Sequence, residues 1–313
     1  MLILYLILVV ASCIALVKSV EMLVTSSSSL AKTIGISEYS ISIFLIAAAT
    51  SLPELTLGIT SAINNNSILS FGNVIGSNIA DLTLIIAIPI LFGGVLSTRE
   101  SIRNKDLSYA GLFGLLPVFF ILDNEISRGE GVWLLIGYAV YLIYVFNRDK
   151  GSEGHESPFQ AGNWVRKTIL LLFSIVLMLV SAQVLVKSSI GLSELVHIPA
   201  IFIGLTLTAV GTSIPELVFG LKVIKTKLKS EIMGSVLGSV VVNSTLVVGA
   251  TAIITPIKRE AAEGNTSILF LALSLILFIT ISLTGRRISR FEAILLTMFY
   301  LFFLFMEKRI AGI

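Results

Sequence analysis

A short polar motif occurs twice in this chain, each time in the middle of a long apolar stretch. Residues 50–54 read Thr-Ser-Leu-Pro-Glu, and residues 212–216, which lie 162 positions later, read Thr-Ser-Ile-Pro-Glu. A carboxylate near the centre of a bilayer costs roughly 2.5–3.5 kcal/mol on insertion scales, so its default interpretation is functional. Two such glutamates at matching positions of a duplicated chain predict one cation site built by both halves.

The composition predicts an all-α integral membrane protein that lies in a lipid bilayer. Of 313 residues, 55% are hydrophobic and only 13% are charged, and the mean hydropathy is +0.98. Soluble domains carry about 25% charge. No run of basic residues with interleaved aromatics indicates a nucleic-acid partner. Apolar spans long enough to cross ~30 Å of hydrocarbon predict ten transmembrane helices near 2–31, 37–64, 68–94, 105–122, 130–147, 164–194, 198–225, 230–257, 265–284 and 289–307.

The two halves of the chain form an internal repeat. Residues 41–90 match residues 203–252 at 15 of 50 positions without a gap, and prolines, glutamates and glycines are among the matches. A hydrophilic linker at 150–163 separates a first five-helix repeat, 1–149, from a second, 164–313. Five helices per repeat predict two repeats of inverted topology, which is typical of secondary transporters.

The distribution of basic residues predicts the orientation in the membrane. With the N-terminus outside, 15 of the 22 lysines and arginines fall in inside loops and five fall outside. The positive-inside rule therefore places both termini on the extracellular side of a multi-pass plasma-membrane protein, with the linker in the cytoplasm.

The two motifs predict breaks in helices 2 and 7. Pro53 and Pro215 have no N–H, so the carbonyls of Ala49 and Gly211 lose their helical hydrogen bonds. A free carbonyl is costly in lipid and useful beside a metal ion. Glu54 and Glu216 follow directly and add charge. Neutral oxygens come from four neighbouring hydroxyls, those of Thr50, Ser51, Thr212 and Ser213. These are hard ligands, suited to Na⁺, Ca²⁺ or Mg²⁺.

The next helix of each half adds a second polar strip. Ser77 and Asp81 are four residues apart and share one face of helix 3, and Ser239 and Asn243 do the same in helix 8. Glycines at 72 and 76, and at 234 and 238, favour close helix packing. If both strips face the broken helices, the oxygen cage contains three carboxylates, since Asp81 joins the two glutamates.

Three alternative interpretations are weaker. Cys13 is the only cysteine, which excludes an internal disulfide, and lipoprotein processing there is disfavoured because no Lys or Arg precedes the apolar run. An intramembrane aspartyl hydrolase needs two aspartates that share a proton, whereas only Asp81 lies well inside an apolar span. A passive channel is disfavoured because neither half contains a filter loop.

The motifs resemble the two α-repeats of the cation/calcium antiporter superfamily, and within it the prokaryotic sodium/calcium exchangers. The strings that carry the resemblance are Gly-Thr-Ser-Ile-Pro-Glu at 211–216 and Gly-Ser-Asn-Ile-Ala-Asp at 76–81. The resemblance implies Na⁺ and Ca²⁺ sites between helices 2, 3, 7 and 8. It also implies alternating access by movement of helices 1 and 6, and transport of both ions without a cofactor. Proton/calcium exchange, potassium-dependent exchange and Mg²⁺ transport stay open, although Thr-Ser rather than Gly-Asn before the glutamate disfavours the proton exchanger.

The chain departs from the family pattern at two places. Ala49 stands where the first repeat normally has a glycine. Asp81 and Asn243 are interchanged relative to the archaeal sodium/calcium exchangers, so the cage keeps three carboxylates while one negative charge moves to the mirror position. This exchange bears on the order of the ion sites and on stoichiometry. The sequence carries no prediction of the oligomeric state.

Overall fold

The computed structural model describes residues 1–34, 38–97, 104–148, 164–225, 231–260, 264–284 and 287–310. Within the second helix, side chains are described from Ser51 onward. The side chains of Ala49 and Thr50, two predicted site residues, therefore lie outside the described part, and so does the predicted linker at 150–163.

Helices dominate the chain, and they fall where the apolar spans predict them, with ends that differ by at most three residues. We label them α1 (Leu2–Ile34), α2 (Glu38–Ile63), α3 (67–93), α4 (104–123), α5 (Arg128–Arg148), α6 (Trp164–Val196), α7 (200–223), α8 (231–254), α9 (Asn265–Thr284) and α10 (Arg290–Ile310). Among the described residues, seven of these helices have a segment long and apolar enough to cross a membrane, namely α1, α3, α4, α6, α7, α8 and α9.

Three helices contain a π-helical turn, in which the backbone takes in one extra residue. The turns cover Asp81–Ile85 in α3, Gly204–Thr208 in α7 and Asn243–Val247 in α8. Such turns occur often at functional sites. Those of α3 and α8 begin at Asp81 and Asn243, and are therefore related by the same 162-residue offset as the sequence motifs.

Two short sheets join the repeats. Strand β1 (Leu96–Ser97) pairs antiparallel with β4 (Arg287–Ile288), and β2 (Glu125–Ile126) pairs antiparallel with β3 (Ile257–Lys258). β1 precedes α4 and β2 follows it, so the two sheets lie at opposite ends of that helix. Each sheet contains one strand from each repeat.

The helices form a buried centre and an apolar periphery. The apolar segments of α3 and α8 are 83% and 78% buried, whereas those of α1 and α6 are only 35% and 28% buried. α1 and α6 pack along each other, and the Tyr5 ring of α1 lies against Gly191 of α6. Large apolar side chains on the outer face of α6 are exposed, for example Ile169, Phe173 and Val176. Such exposed apolar surface is what a lipid-facing helix requires.

Glycines bring α3 and α7 almost into backbone contact. A Cβ added at Gly72 would lie 2.3 Å from the Ile201 carbonyl oxygen, and one at Gly76 would lie 2.3 Å from that of Leu205. The predicted packing role is therefore confirmed in the first repeat. In the second repeat, a Cβ at Gly234 would meet no described atom within 4 Å. The glycine strips thus pack differently in the two halves.

The predicted breaks in helices 2 and 7 have different outcomes. In α7 the α-helix stops at Thr212, Ser213 adopts φ −84° and ψ 6°, and a new helix begins at Ile214. In α2, by contrast, the helix runs from Glu38 to Ile63 through Pro53 without a non-helical residue. The predicted break in α2 is therefore wrong at the level of helical structure. A proline removes a single helical hydrogen bond, and the surrounding turns continue the helix across it.

Candidate cation site

α2 supplies a buried glutamate to the site. Glu54 is 1% exposed and follows Pro53, and one turn earlier Ser51 is buried as well. Neither carboxyl oxygen of Glu54 accepts a hydrogen bond from the described residues, although the Thr212 hydroxyl of α7 lies beside it. Burying a polar group without a partner is costly, so this carboxyl group is available to a ligand.

α7 supplies the matching glutamate at its break. Pro215 occupies the first turn of the helix that begins at Ile214, where its missing N–H costs nothing, and Glu216 lies in the same turn. Both carboxyl oxygens of Glu216 and the Ser213 hydroxyl are buried without a partner among the described residues. Pro215 also cannot donate to the carbonyl of Gly211, so the α7 break presents backbone oxygen as well as side-chain oxygen.

α3 supplies the third carboxylate. Asp81 begins the π-helical turn and is fully buried. The hydroxyls of Ser213 from α7 and Ser239 from α8 lie alongside its carboxyl group. The Ser77 hydroxyl, one turn earlier, points to the Ala209 carbonyl oxygen at 3.5 Å. Asp81 thus faces oxygen atoms of the second repeat, as the predicted cage requires.

α8 supplies an amide at the repeat-equivalent position. The Asn243 amide nitrogen donates to the Ser239 hydroxyl at 3.3 Å and to the Asn78 side-chain oxygen at 3.2 Å. The Asn243 side-chain oxygen is buried and has no partner among the described residues.

The three carboxylates lie close enough to act on one another. Glu54 interacts electrostatically with Asp81, and Glu216 interacts with both. Within the described ranges, however, no three acidic, histidine or cysteine side chains are gathered tightly enough to hold one metal ion between them. In this conformation the three carboxylates influence one another electrostatically. A bound cation would also need hydroxyl, amide and backbone oxygens from the same neighbourhood.

The structure adds three polar residues that the sequence analysis did not assign to the site. Asn73 of α3 donates to the Thr212 hydroxyl at 3.1 Å, and Asn78 contacts Asn243 as described above. The buried Tyr300 hydroxyl of α10 has no hydrogen-bond partner among the described residues and lies in the field of Asp81. Tyr300 is 162 residues after Tyr138, so extending the repeat comparison to the last helix of each half would have indicated it.

The chain matches the family described as sodium/calcium exchanger protein over residues 4–147 and 166–307. It is 31% identical to the sodium/calcium exchanger MaX1 of Methanosarcina acetivorans, over 92% of this chain and 94% of that protein. It is 28% identical to the putative antiporter CaxA of Alkalimonas amylolytica, over 94% of this chain and 95% of CaxA.

Two solved structures have a similar fold. A structure of the sodium-calcium exchanger NCX_Mj, soaked with Na⁺ and Sr²⁺, superposes with a TM-score of 0.64 at 25% identity, over 97% of this chain and 99% of that one. The H⁺/Ca²⁺ exchanger CAX superposes with a TM-score of 0.75 at 18% identity, over 98% of this chain and 85% of that one. Together with the apolar helices, these likenesses identify a multi-pass membrane protein.

Proposed function

We propose that this chain, which belongs to the sodium/calcium exchanger protein family, is a secondary transporter that exchanges Na⁺ for Ca²⁺ at one cage of oxygen atoms. It is a transporter of cations rather than an enzyme. Its substrates are the two ions, which enter and leave the cage without a resident cofactor.

The observation that carries the proposal is the set of unpartnered carboxylates. Glu54, Asp81 and Glu216 are at most 3% exposed, come from both repeats, and have no hydrogen-bond partner for any carboxyl oxygen in the described part of the chain. Protein packing does not require such groups, and their burial is costly unless an ion or a proton neutralises them. Oxygen ligands of this kind suit Ca²⁺ and Na⁺.

The remaining ligands are assigned from the same neighbourhood. Hydroxyl oxygens come from Ser51, Ser77, Thr212, Ser213 and Ser239, together with Thr50 by repeat equivalence, and amide oxygen comes from Asn243. The backbone carbonyls of Ala49 and Gly211 complete the proposed set, since Pro53 and Pro215 cannot donate to them.

The shared cage explains how two fluxes are coupled. Na⁺ and Ca²⁺ compete for the same three carboxylates, so binding of one excludes the other. An empty cage leaves negative charges without water or counter-ions in a low-dielectric interior, which opposes the change of access. The transporter therefore changes from one access state to the other with an ion bound, and coupled exchange is favoured over uncoupled movement of either ion. Three carboxylates balance three Na⁺, whereas one Ca²⁺ leaves one negative charge that a proton on Asp81 can offset.

We assign ten transmembrane spans. Seven are the described helices that are long and apolar enough to cross a membrane, and α2, α5 and α10 cross in addition to them. Two supports are the 15-to-5 distribution of basic residues and the two sheets, each of which joins strands of different repeats. In this arrangement the repeats insert in opposite orientations, and both termini lie on the extracellular side of the plasma membrane.

Alternating access is assigned to the peripheral pair α1 and α6, which pack on each other and are, apart from α4, the least buried of the described helices that are long and apolar enough to cross a membrane. Among the described side chains, one polar link joins this pair to the centre. Asn64, after α2, and Gln183, in α6, exchange hydrogen bonds of 3.1 and 3.2 Å. Few polar contacts of this kind allow the pair to slide while the four site helices stay together.

Proton/calcium exchange is the second candidate. The observation that favours it is the absence of hydrogen-bond partners on the three buried carboxylates in the described residues, because protons neutralise such groups as well as Na⁺ does.

Radiolabelled Ca²⁺ uptake into proteoliposomes separates the two candidates. The purified protein is reconstituted, and Na⁺, K⁺ or H⁺ gradients are imposed one at a time. We expect uptake with an outward Na⁺ gradient alone. Uptake with an H⁺ gradient in the absence of Na⁺ establishes the proton exchanger, and uptake that needs no counter-ion gradient rejects antiport.

A further inference from the structure

We propose that Asn78 is a positioning residue that turns the oxygen atom of the Asn243 amide into the cation cage. The inference rests on the proposed function and adds a residue to its site. It also gives the two repeats different roles at the site, because the residue equivalent to Asn78 in the second repeat is Val240.

The first step concerns the chemistry of an amide beside a cation. An asparagine side chain has an oxygen that attracts a cation and an N–H₂ group that repels it, and the two are nearly the same size. A neutral amide therefore serves as a ligand only if something fixes which end faces the ion. A carboxylate has two equivalent oxygens and needs no such control.

The second step is the hydrogen-bond arrangement around Asn243. Both N–H bonds of its amide have acceptors, one on Asn78 at 3.2 Å and one on Ser239 at 3.3 Å. The oxygen is buried and has no partner among the described residues. Both hydrogens of the nitrogen end are thus taken up by protein oxygens, and the oxygen end is the one left for a ligand.

The third step is what holds Asn78 itself. Its own amide nitrogen donates to the Ser244 hydroxyl at 2.8 Å, and in this arrangement the Asn78 oxygen accepts from the Asn243 nitrogen. Asn78, Asn243 and Ser244 are all fully buried, which removes competition from water. The order Ser244, Asn78, Asn243 links the orientations of the two amides, so that the Asn243 amide cannot turn over while the Asn78 amide keeps its present orientation.

The fourth step is the asymmetry between the repeats. At the position of Asn243 the first repeat has Asp81, and at the position of Asn78 the second repeat has Val240. A carboxylate needs no orienting amide, so an apolar residue is sufficient there. The asparagine at position 78 thus accompanies the amide ligand Asn243. In the other repeat-equivalent pair, the apolar Val240 accompanies the carboxylate ligand Asp81.

The test measures equilibrium binding of radiolabelled Ca²⁺ to the purified full-length protein in detergent, together with Ca²⁺ uptake in proteoliposomes. Asn78→Val removes the orienting oxygen. We expect it to raise the Ca²⁺ dissociation constant and the half-saturating Ca²⁺ concentration about tenfold, the equivalent of one lost hydrogen bond, and to change the maximal rate by less than about twofold.

The decisive comparison uses Asn243→Asp as a second background. With a carboxylate at position 243, orientation no longer matters, so Asn78→Val is expected to leave Ca²⁺ affinity unchanged or to improve it. An equal loss of affinity in both backgrounds shows a structural role only and overturns the proposal, as does an unchanged affinity of Asn78→Val in the otherwise native chain.

Ser244→Ala provides a second variant if Asn78→Val does not fold. It frees the Asn78 amide and is expected to weaken Ca²⁺ binding about two- to threefold, and native affinity in this variant counts against the proposal. Thr245→Val is its matched control. Among the described residues the Thr245 hydroxyl bonds only to the Val241 carbonyl of its own helix, and we expect native affinity. A native protein that neither binds nor transports Ca²⁺ rejects the proposed function, which is a different result from equal effects in the two backgrounds.

Discussion

The Cys13 thiol of α1 lies directly against Gly211 of α7, beside the carbonyl that Pro215 leaves without a donor. A Cβ built at Gly211 would stand 2.4 Å from the Cys13 sulfur and 3.0 Å from its Cβ. This contact places the peripheral helix α1 on the break in α7. Any movement of α1 therefore changes the packing around one of the proposed backbone ligands.

Replacing Gly211 by alanine should disturb both the contact and transport. The added methyl group has no room unless α1 moves, and overpacking of this kind costs about 1–3 kcal/mol. We expect Gly211→Ala to lower the thermal unfolding midpoint and to reduce Na⁺-driven Ca²⁺ uptake. Cys13→Gly in the same chain should restore part of both, measured by thermal denaturation and by flux. A double variant no better than Gly211→Ala alone would show that the thiol is not the obstacle.

Gly72 and Gly234 occupy equivalent positions of the two repeats but have different neighbours, so their alanine variants form a matched pair. Gly72→Ala should destabilise the protein by about 1–3 kcal/mol because its Cβ would collide with the Ile201 carbonyl, which belongs to a helix backbone and cannot rotate away. Gly234→Ala, at the equivalent position, should be neutral or slightly stabilising because it adds a better helix former where a Cβ would meet no described atom within 4 Å. Thermal unfolding in detergent compares them directly. Equal destabilisation would contradict the difference seen between the two interfaces.

The two site glutamates should be indispensable for transport. Glu54→Gln and Glu216→Gln each remove one of the three charges that attract the ions, and each should reduce Na⁺-driven Ca²⁺ uptake to background. Glu194→Gln is the control, since Glu194 is an exposed residue near the end of α6 and should keep native flux. Robust uptake by both cage variants would refute the assignment of these residues.

A buried carboxyl group outside the cage should affect stability and leave Ca²⁺ affinity unchanged. Glu307, near the end of α10, is 2% exposed and accepts a hydrogen bond from the Ser267 hydroxyl in the first turn of α9. Glu307→Ala leaves Ser267 without this partner and should cost about 1–3 kcal/mol. We expect a lower unfolding midpoint for Glu307→Ala with an unchanged half-saturating Ca²⁺ concentration. A marked change in that concentration would place Glu307 in the transport path.

The only cysteine of the chain offers a native reporter of helix movement. Cys13 is 4% exposed, so N-ethylmaleimide should label it slowly. Gln183→Leu breaks both hydrogen bonds to Asn64 and should free α6, with α1 beside it, to move. We expect faster labelling of Cys13 in this variant. Ser181→Ala is the control, because the Ser181 hydroxyl bonds to the Leu177 carbonyl of its own helix. Identical labelling in Gln183→Leu and in the native protein would show that the amide pair does not restrain the two helices.

The sequence was sufficient to predict the helices, because each is a long apolar run bounded by polar residues. It also indicated the burial of Glu54, Asp81 and Glu216, because an acidic side chain within an apolar span is too costly to face lipid and must turn towards the protein interior. Family membership is confirmed by the match over most of the chain.

The remaining features depend on three-dimensional packing. The continuity of α2 at Pro53 reflects how the turns around the proline are supported, which residue type alone does not reveal. The hydrogen bond between Asn78 and Asn243 joins residues 165 positions apart. The difference between Gly72 and Gly234 arises from their neighbours, since the two residues are identical in the sequence repeat.

The pairing of the short strands has a consequence for half-length chains. In the described part of the chain, β1 and β2 of the first repeat pair with β4 and β3 of the second, so strand pairing connects the two repeats at both sheets. A fragment that stops in the central linker would carry two strands with bare hydrogen-bonding edges. If the repeats insert in opposite orientations, as we propose, a second copy of this fragment in the inverted orientation would offer complementary edges at both ends, and half-length chains are expected to associate in pairs.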